Sequence, residues 1–262
     1  MKARAIQIFI CLLILSVSTS ARAADLLPAL APQPQAETKD GWSFTVAPYF
    51  WLAGISGDTG VFGLPTVDID QSFSDIISDL DFGFMAAGEA RYGRISILTD
   101  ILYIRITTDA ATPRGIIASE VDLKSETFTA FVGGGYTVLE DNRGRLDVTG
   151  GIRVWDVDTK ISFTGGLLGG RSRSDGATWV DGLGGFRGTY SITPQIYLTG
   201  WAMIGGGGAD LDWDVLAGIG YNFDNRISAV AGYRALGVDY SDDGFVFDAI
   251  QHGPILGVAI RF

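Results

Sequence analysis

From Leu211 to Phe223 every second residue is apolar: Leu211, Trp213, Val215, Ala217, Ile219, Tyr221 and Phe223, with Asp212, Asp214 and Asn222 in the intervening set. A period of two with one apolar face is the mark of a β-strand that meets oil on one side only. The same alternation recurs along the chain. It appears in Trp42 to Leu52, in Phe82 to Tyr92 (against Glu89 and Arg91), in Phe128 to Val138 (against Thr127, Thr129 and Thr137) and in Ile196 to Ile204. Only Ile95 to Ile106 is apolar on both faces.

Composition narrows what the alternation means. The 262 residues are 47% hydrophobic and 19% charged, yet beyond the N-terminus no uncharged apolar run reaches the length of a spanning helix. Apolar character is dispersed, as a transmembrane barrel requires when alternate residues face lipid and lumen. The expected fold is all-β: an antiparallel up-and-down transmembrane β-barrel, with ten strands and a range of eight to twelve.

Turn chemistry yields the count. Gly93-Arg94, Glu140 to Gly144, Ile192 to Gln195 and Asp224-Asn225 are short turn-rich links. Longer polar stretches at 54–81, 109–117, 164–176 and 205–210, and a tight one at 241–244, alternate with them. The strands so delimited are 42–53, 82–92, 94–108, 118–138, 145–162, 177–190, 196–205, 210–223, 226–240 and 245–262. Segment 55–81 has room for a further hairpin, and within 71–80 Phe73, Ile76, Ile77 and Leu80 have helical spacing, giving a short helix over or inside the barrel. Pro48 and Pro254 fall in the first and last strands, which predicts a bulged or incompletely paired seam there.

Aromatic residues of the apolar face cluster at one end: Tyr92, Tyr136, Tyr190, Tyr221 with Phe223, and Phe262. Rings of that kind favour a membrane interface, so these residues are the expected girdle.

The N-terminus reads as an export signal over residues 1–23. Lys2 and Arg4 precede the apolar Ile6 to Val17, and Ala21-Arg22-Ala23 supplies the A-x-A site, with cleavage after Ala23. Residues 24–40, with three prolines and no period, read as a flexible periplasmic leader, and 41–262 as the barrel. The single cysteine, Cys11, lies inside the signal without a lipobox, which leaves the mature chain no thiol for a disulfide or a metal. Removing Lys2, Arg4 and Arg22 leaves 16 basic against 30 acidic side chains, a net charge of −14, which argues against nucleic acid as a partner.

Arginine at mid-depth on the lipid side costs about 2–4 kcal/mol, so the strand charges are expected to point inward. Glu89, Arg91, Asp147, Arg153, Asp181, Arg187, Asp212, Asp214, Arg234 and Arg261 form the expected lumen charge network. Such a set either fills a narrow bore with ion pairs or lines a charged constriction, and residue types do not separate the two. His252, the only histidine, falls by parity on the apolar side near Asp248, with no second histidine and no serine or cysteine signature to build a catalytic site. Asp239 to Gly244 lacks the spacing of a calcium loop. Gly133 to Gly135 and Gly205 to Gly208 lack the lysine of a phosphate loop. No catalytic residue, cofactor or metal is therefore expected.

The stretch Trp42-Ser-Phe-Thr-Val-Ala-Pro-Tyr-Phe-Trp-Leu-Ala-Gly54, then Val67 to Phe82, Ala231-Gly-Tyr-Arg234 and the terminal Phe262, resembles a widespread group of largely uncharacterised proteobacterial outer-membrane β-barrels. The resemblance spans most of 41–262. It implies a barrel in the cell outer membrane and no agreed activity. By the same resemblance, the alternating final strand ending in Phe262 implies recognition by the barrel-assembly machinery. Outer-membrane lipid and lipopolysaccharide are the other expected partners. The functional expectation is a structural or surface-interacting barrel with a charge-packed interior; the alternative is a narrow porin-like channel for small solutes.

Overall fold

A computed structural model describes residues 41–111 and 120–262; the expected signal, leader and Cys11 lie outside the described residues. Ten antiparallel strands close into a barrel. In ring order they are β1 (Trp42–Trp51), β4 (Leu80–Tyr92), β5 (Ile95–Ala111), β6 (Glu120–Glu140), β7 (Gly144–Thr164), β8 (Ser172–Ser191), β9 (Ile196–Gly207), β10 (Leu211–Asn222), β11 (Ile227–Asp242) and β12 (Phe245–Arg261), which pairs back onto β1. Every strand of the ring pairs on both sides over most of its length, which satisfies its backbone groups within the sheet except where β4 parts from β1.

The alternation sets which face is which. Exposed large apolar side chains include Phe44, Phe50, Ile97, Val132, Ile152, Ile219 and Leu256, whereas the buried set is rich in charge: Asp147, Arg153, Asp181, Asp212, Asp214 and Arg234. This is the reverse of a water-soluble protein and the arrangement of a barrel solvated by lipid.

At one end, the short-turn end, every connection is four residues or fewer. Two of them are held by an aspartate that accepts from the turn's own amides: Asp141 from Arg143 N and Gly144 N (2.8 and 2.7 Å), and Asp224 from Arg226 N and Ile227 N (both 2.7 Å). These bonds hold both carboxyls below the usual aspartate range; for each, the amide two residues on (Arg143 or Arg226) is the larger cause, followed by the amide one further. At the opposite, loop end, Asp243 and Gly244 have φ of 46° and 84° and close β11 onto β12 in a two-residue turn.

The connection from β1 to β4 is the irregular part. Past Trp51 the chain runs into β2 (Gly54–Gly60), which pairs with β12 above the stretch that β1 occupies, and then into β3 (Val67–Gln71), which pairs only with β2. The helix α1 (Phe73–Ser78) follows, with the Asp75 carboxylate accepting from Ser72 N (3.1 Å) at its start. The extra hairpin expected in 55–81 is thus present but adds no stave, and the count stays at ten. The helix is shorter than 71–80 and has no buried residue. Strands β7 and β8 continue to Thr164 and from Ser172, so the loop expected at 164–176 is shortened to 165–171.

Pro48 has two consequences. The β1–β12 register omits Ala47 and Pro48, and the β1–β4 register stops at Pro48↔Ala86. The wider break is therefore on the β1–β4 side, where Leu80 to Met85 of β4 pair with β5 alone, rather than between first and last strands as the sequence suggested. Pro254 pairs with Tyr233, and its carbonyl accepts from Leu52 N at 2.9 Å, so it opens no gap.

Candidate functional site in the lumen

β7 is a ruler for the interior. Its inward residues from the short-turn end are Arg145, Asp147, Thr149, Gly151, Arg153, Trp155 and Val157, and each marks a layer of the bore.

The first layer is ionic. Arg91 reaches Glu89 (2.7 Å) and Asp147 (2.5 Å), Arg145 reaches Glu89 (2.8 Å), and Arg187 reaches Glu89 (3.2 Å). Thr137 donates to Asp147 at 2.6 Å. Nearer that end, Arg261 donates to Asn222 (3.2 Å) and Ser228 (3.1 Å) beside Tyr197, apart from any carboxylate in the ion-pair set of the described residues. Above the ionic layer, Leu98, Phe131 and Leu183 make a small apolar plug.

The second ionic layer is buried at Arg153, Asp212, Asp214 and Arg234 and half-buried at Asp100. Arg153 bridges Asp212 (2.6 Å) and Asp214 (2.7 Å); Arg234 bridges Asp214 (2.7 Å) and Asp100 (2.9 Å). Indole N–H groups complete the carboxylates: Trp155 donates to Asp212 (2.9 Å) and Trp201 to Asp214 (2.9 Å). Tyr49 donates to Asp100 at 3.0 Å and accepts from Arg234 at 2.6 Å. Asp181 takes Trp179 Nε1 (3.0 Å) and the Ala209 amide (2.8 Å). Buried charges are tolerated when they are paired, as Arg153, Arg234, Asp212 and Asp214 are here. Arg187 Nε, Ser96, Thr129 and Thr149 are buried polar groups left without a hydrogen-bond partner among the described residues.

Above it the bore is closed by rings. Trp155 stacks on Trp179 (centroids 5.7 Å apart), Trp179 on Tyr240 (4.0 Å), and Phe247 packs against both tryptophans. At the loop end, the β2–β3 connection comes down over this stack. Phe62 lies under the Arg173 guanidinium at 4.7 Å, and its amide bonds to the Asp175 carboxylate. A cavity of about 40 Å³ among Asp100, Phe131, Thr149, Arg187 and Asp214 lies inside the lumen, room for about one water.

The structure brings Glu89, Arg91, Asp147 and Arg187 into the first layer and Arg153, Asp212, Asp214 and Arg234 into the second; Asp181 joins through Trp179, and Arg261 stands apart. The lumen count is five arginines in these layers against Glu89, Asp100, Asp147, Asp181, Asp212 and Asp214. That near-balance suits a lattice that satisfies itself better than one that attracts ions of one sign. Sequence reasoning missed Asp100, Arg145, Tyr49 and the tryptophans. Asp100 hides in the stretch that is apolar on both faces; counting parity back through the Gly93-Arg94 turn from Tyr92 would have turned it inward.

Outside, Tyr92, Tyr136, Tyr190, Tyr221, Phe223 and Phe262 are all exposed at the short-turn end. His252 also points outward, where its Nδ1 is 2.7 Å from the Tyr233 hydroxyl. Among the described residues no group of histidines and carboxylates has the geometry to hold a metal ion.

No known family profile matches the chain, and no curated protein matches it. Solved structures do. The outer-membrane protease OmpT of Escherichia coli is similar over 86% of this chain and 98% of its own, with a TM-score of 0.55 and 10% identity. The translocator domain of the autotransporter NalP of Neisseria meningitidis is similar over 87% and 91% (TM-score 0.45, 15% identity). The attachment invasion locus protein Ail of Yersinia pestis is similar over 85% and 99% (TM-score 0.36, 13% identity). At these identities the likeness, carried by the first alone, is one of fold: a closed antiparallel β-barrel.

Proposed function

We propose that this chain is an integral outer-membrane β-barrel with a structural or surface-interaction role and a sealed interior. In this reading the short-turn end faces the periplasm and the loop end the exterior, as the uneven connection lengths favour. The observation that carries it is the stacked closure of the bore. Two ionic layers, an apolar plug and the Trp155–Trp179–Tyr240 stack occupy the lumen in succession.

A narrow solute channel is the competing reading, and the stack of Trp155, Trp179 and Tyr240 across the bore supports it poorly. A non-enzymatic role is supported by the surroundings of His252, which faces lipid beside Tyr233 rather than an aqueous cleft. The similarity of Trp42–Gly54 and Val67–Phe82 to the uncharacterised proteobacterial group supports membership there.

The test is conductance. Refolded protein in planar bilayers is expected to give no single-channel steps; reproducible unitary steps from the folded, heat-modifiable form contradict the sealed reading.

A further inference from the structure

β1 and β4 separate within the span of the membrane. Their register starts at Trp42↔Tyr92 and ends at Pro48↔Ala86. Beyond it, Tyr49 to Trp51 pair with β12 alone and Leu80 to Met85 with β5 alone. Pro48 is six residues above Trp42, and Trp51 is nine. At about 3.3 Å per residue and a tilt of about 40°, they stand roughly 15 and 23 Å above the girdle residue Tyr92. The apolar band is about 25 Å tall, so in the orientation proposed above the wedge opens in the outer half of the hydrocarbon.

The two edges of the wedge lack ladder partners. Residues of an antiparallel strand bond alternately to one neighbour and the other. Phe44 and Leu52 bond to Phe262 and Pro254 of β12, so the even residues of β1 face β12 and the odd ones face β4. The pairs missing from the continued register are therefore Tyr49 with Met85 and Trp51 with Gly83. The N–H and C=O groups of all four point into the wedge. Among the described residues no turn, loop or cap hydrogen bond reaches them, and hydrocarbon cannot satisfy them.

An apolar hollow of about 770 Å³ occupies the wedge and runs on over the outer faces of β12, β11 and β10. Small-molecule sites have volumes of this order, with apolar walls and a few placed polar groups. Phe73 and Ile77 of α1 bound the hollow toward the loop end, and no charged side chain lines it. Tyr49, Trp51 and Met85 form its floor. Their side chains pack on the core that closes the bore, so the hollow is a blind recess in the wall.

We propose that this recess binds one long alkyl chain bearing an uncharged amide or hydroxyl group, which enters sideways from the outer leaflet. The chain lies in the apolar hollow. Its polar group takes up hydrogen bonds that the edges of β1 and β4 do not make to each other. An amide fits best, because the edges offer donors and acceptors together. A carboxylate meets no cation in the lining and lies below Asp75 and Asp79 of α1. A polypeptide strand has no way through, since Pro48↔Ala86 closes the wedge below and α1 bounds it above. The site rests on the outer-membrane reading proposed above.

The test is an NMR titration of the mature barrel in phosphatidylcholine nanodiscs with hexadecanamide, hexadecane or hexadecanoate. Hexadecanamide is expected to move the amide protons of Tyr49, Trp51, Gly83 and Met85 downfield, and to half-saturate at a mole fraction about ten-fold below hexadecanoate. Hexadecane, which fills the hollow without bonding, is expected to give no downfield shift. Gly83→Leu adds a side chain beside Leu80 in the recess, where a Cβ has no contact nearer than 3.9 Å, and is expected to weaken binding about ten-fold. Gly182→Leu, with the same room on the outward face of β8, is expected to leave binding unchanged. Equal shifts from all three ligands, shifts spread evenly over the ten strands, or unaltered binding by a folded Gly83→Leu variant overturn the site. The ligand comparison on wild type decides the matter even if that variant does not fold. A chain that fails to enter the nanodisc, with no heat-dependent gel shift, overturns the membrane reading along with the site.

Discussion

Trp179 of β8 and Tyr240 of β11 lie face to face inside the bore, with ring centroids 4.0 Å apart and planes 12° from parallel. The two strands are not neighbours in the sheet, so the contact spans the lumen and closes it. Replacing both rings by alanine removes the middle of the closure. Wild type is expected to be silent in planar bilayers, and the Trp179→Ala, Tyr240→Ala double variant to leak ions. Truncating a buried tryptophan also costs about 3–5 kcal/mol, so folding of the variant is checked by its heat-dependent gel shift.

Asp214 is the hinge of the second ionic layer, since Arg153 and Arg234 both end on it and Trp201 donates to it. Asp214→Ala leaves each of two buried guanidinium groups with a single carboxylate, Asp212 for Arg153 and Asp100 for Arg234. The loss expected in urea unfolding is about 3–5 kcal/mol. By contrast, Glu126→Ala removes a partly exposed carboxylate at the rim and is expected to cost no more than about 1 kcal/mol. Equal losses at the two positions contradict the layered account.

How much of this was legible beforehand follows from parity. Where one face is polar, as in Leu211 to Asn222, the alternation assigned each side chain to lipid or lumen and strand ends fell within a few residues. Where it was apolar on both faces, in β5, parity had no contrast and Asp100 was lost. The tryptophans were lost for a different reason. Residue type alone marks indole as lipid-loving, whereas Trp155, Trp179 and Trp201 turn inward to give their N–H to carboxylates. The β2–β3–α1 excursion was legible as a hairpin and a helix. That β2 takes over the partnership with β12 depends on a register that the sequence does not encode locally.

The turn aspartates give a pH dependence. Asp141 and Asp224 are held below their unfolded value by amide hydrogen bonds, chiefly from Arg143 and Arg226 respectively. Their stabilisation is therefore fully present above the ordinary aspartate value, near about 3.9, and is lost as pH falls through the lower folded one. The protection factor of the Gly144 and Ile227 amides, taken against the intrinsic exchange rate at each pH, is expected to fall below about pH 4 in wild type. In Asp141→Asn and Asp224→Asn, exchange at the corresponding amide is expected to show no such step. A step that persists in the asparagine variants contradicts the assignment.

Gly220 faces inward on β10 with the Tyr197 ring over it: a Cβ there would lie 2.1 Å from the ring. Gly220→Ala displaces Tyr197 from Ser228, its 3.0 Å partner, and a cost of about 1–3 kcal/mol is expected. Adding Tyr197→Ala, which clears the space, is expected to recover part of it. A loss that the second substitution leaves unchanged contradicts the packing.

The central claim is that alternate residues of one strand meet acyl chains and a closed interior. Nitroxide scanning of β10 from Leu211 to Asn222 in bilayers tests it most directly. High oxygen accessibility is expected at Val215, Ala217 and Ile219, with immobile labels inaccessible to both oxygen and a water-soluble quencher at Asp214, Leu216 and Gly218. Accessibility that changes smoothly along the strand, or water-soluble quencher reaching Val215 and Ile219, contradicts the account.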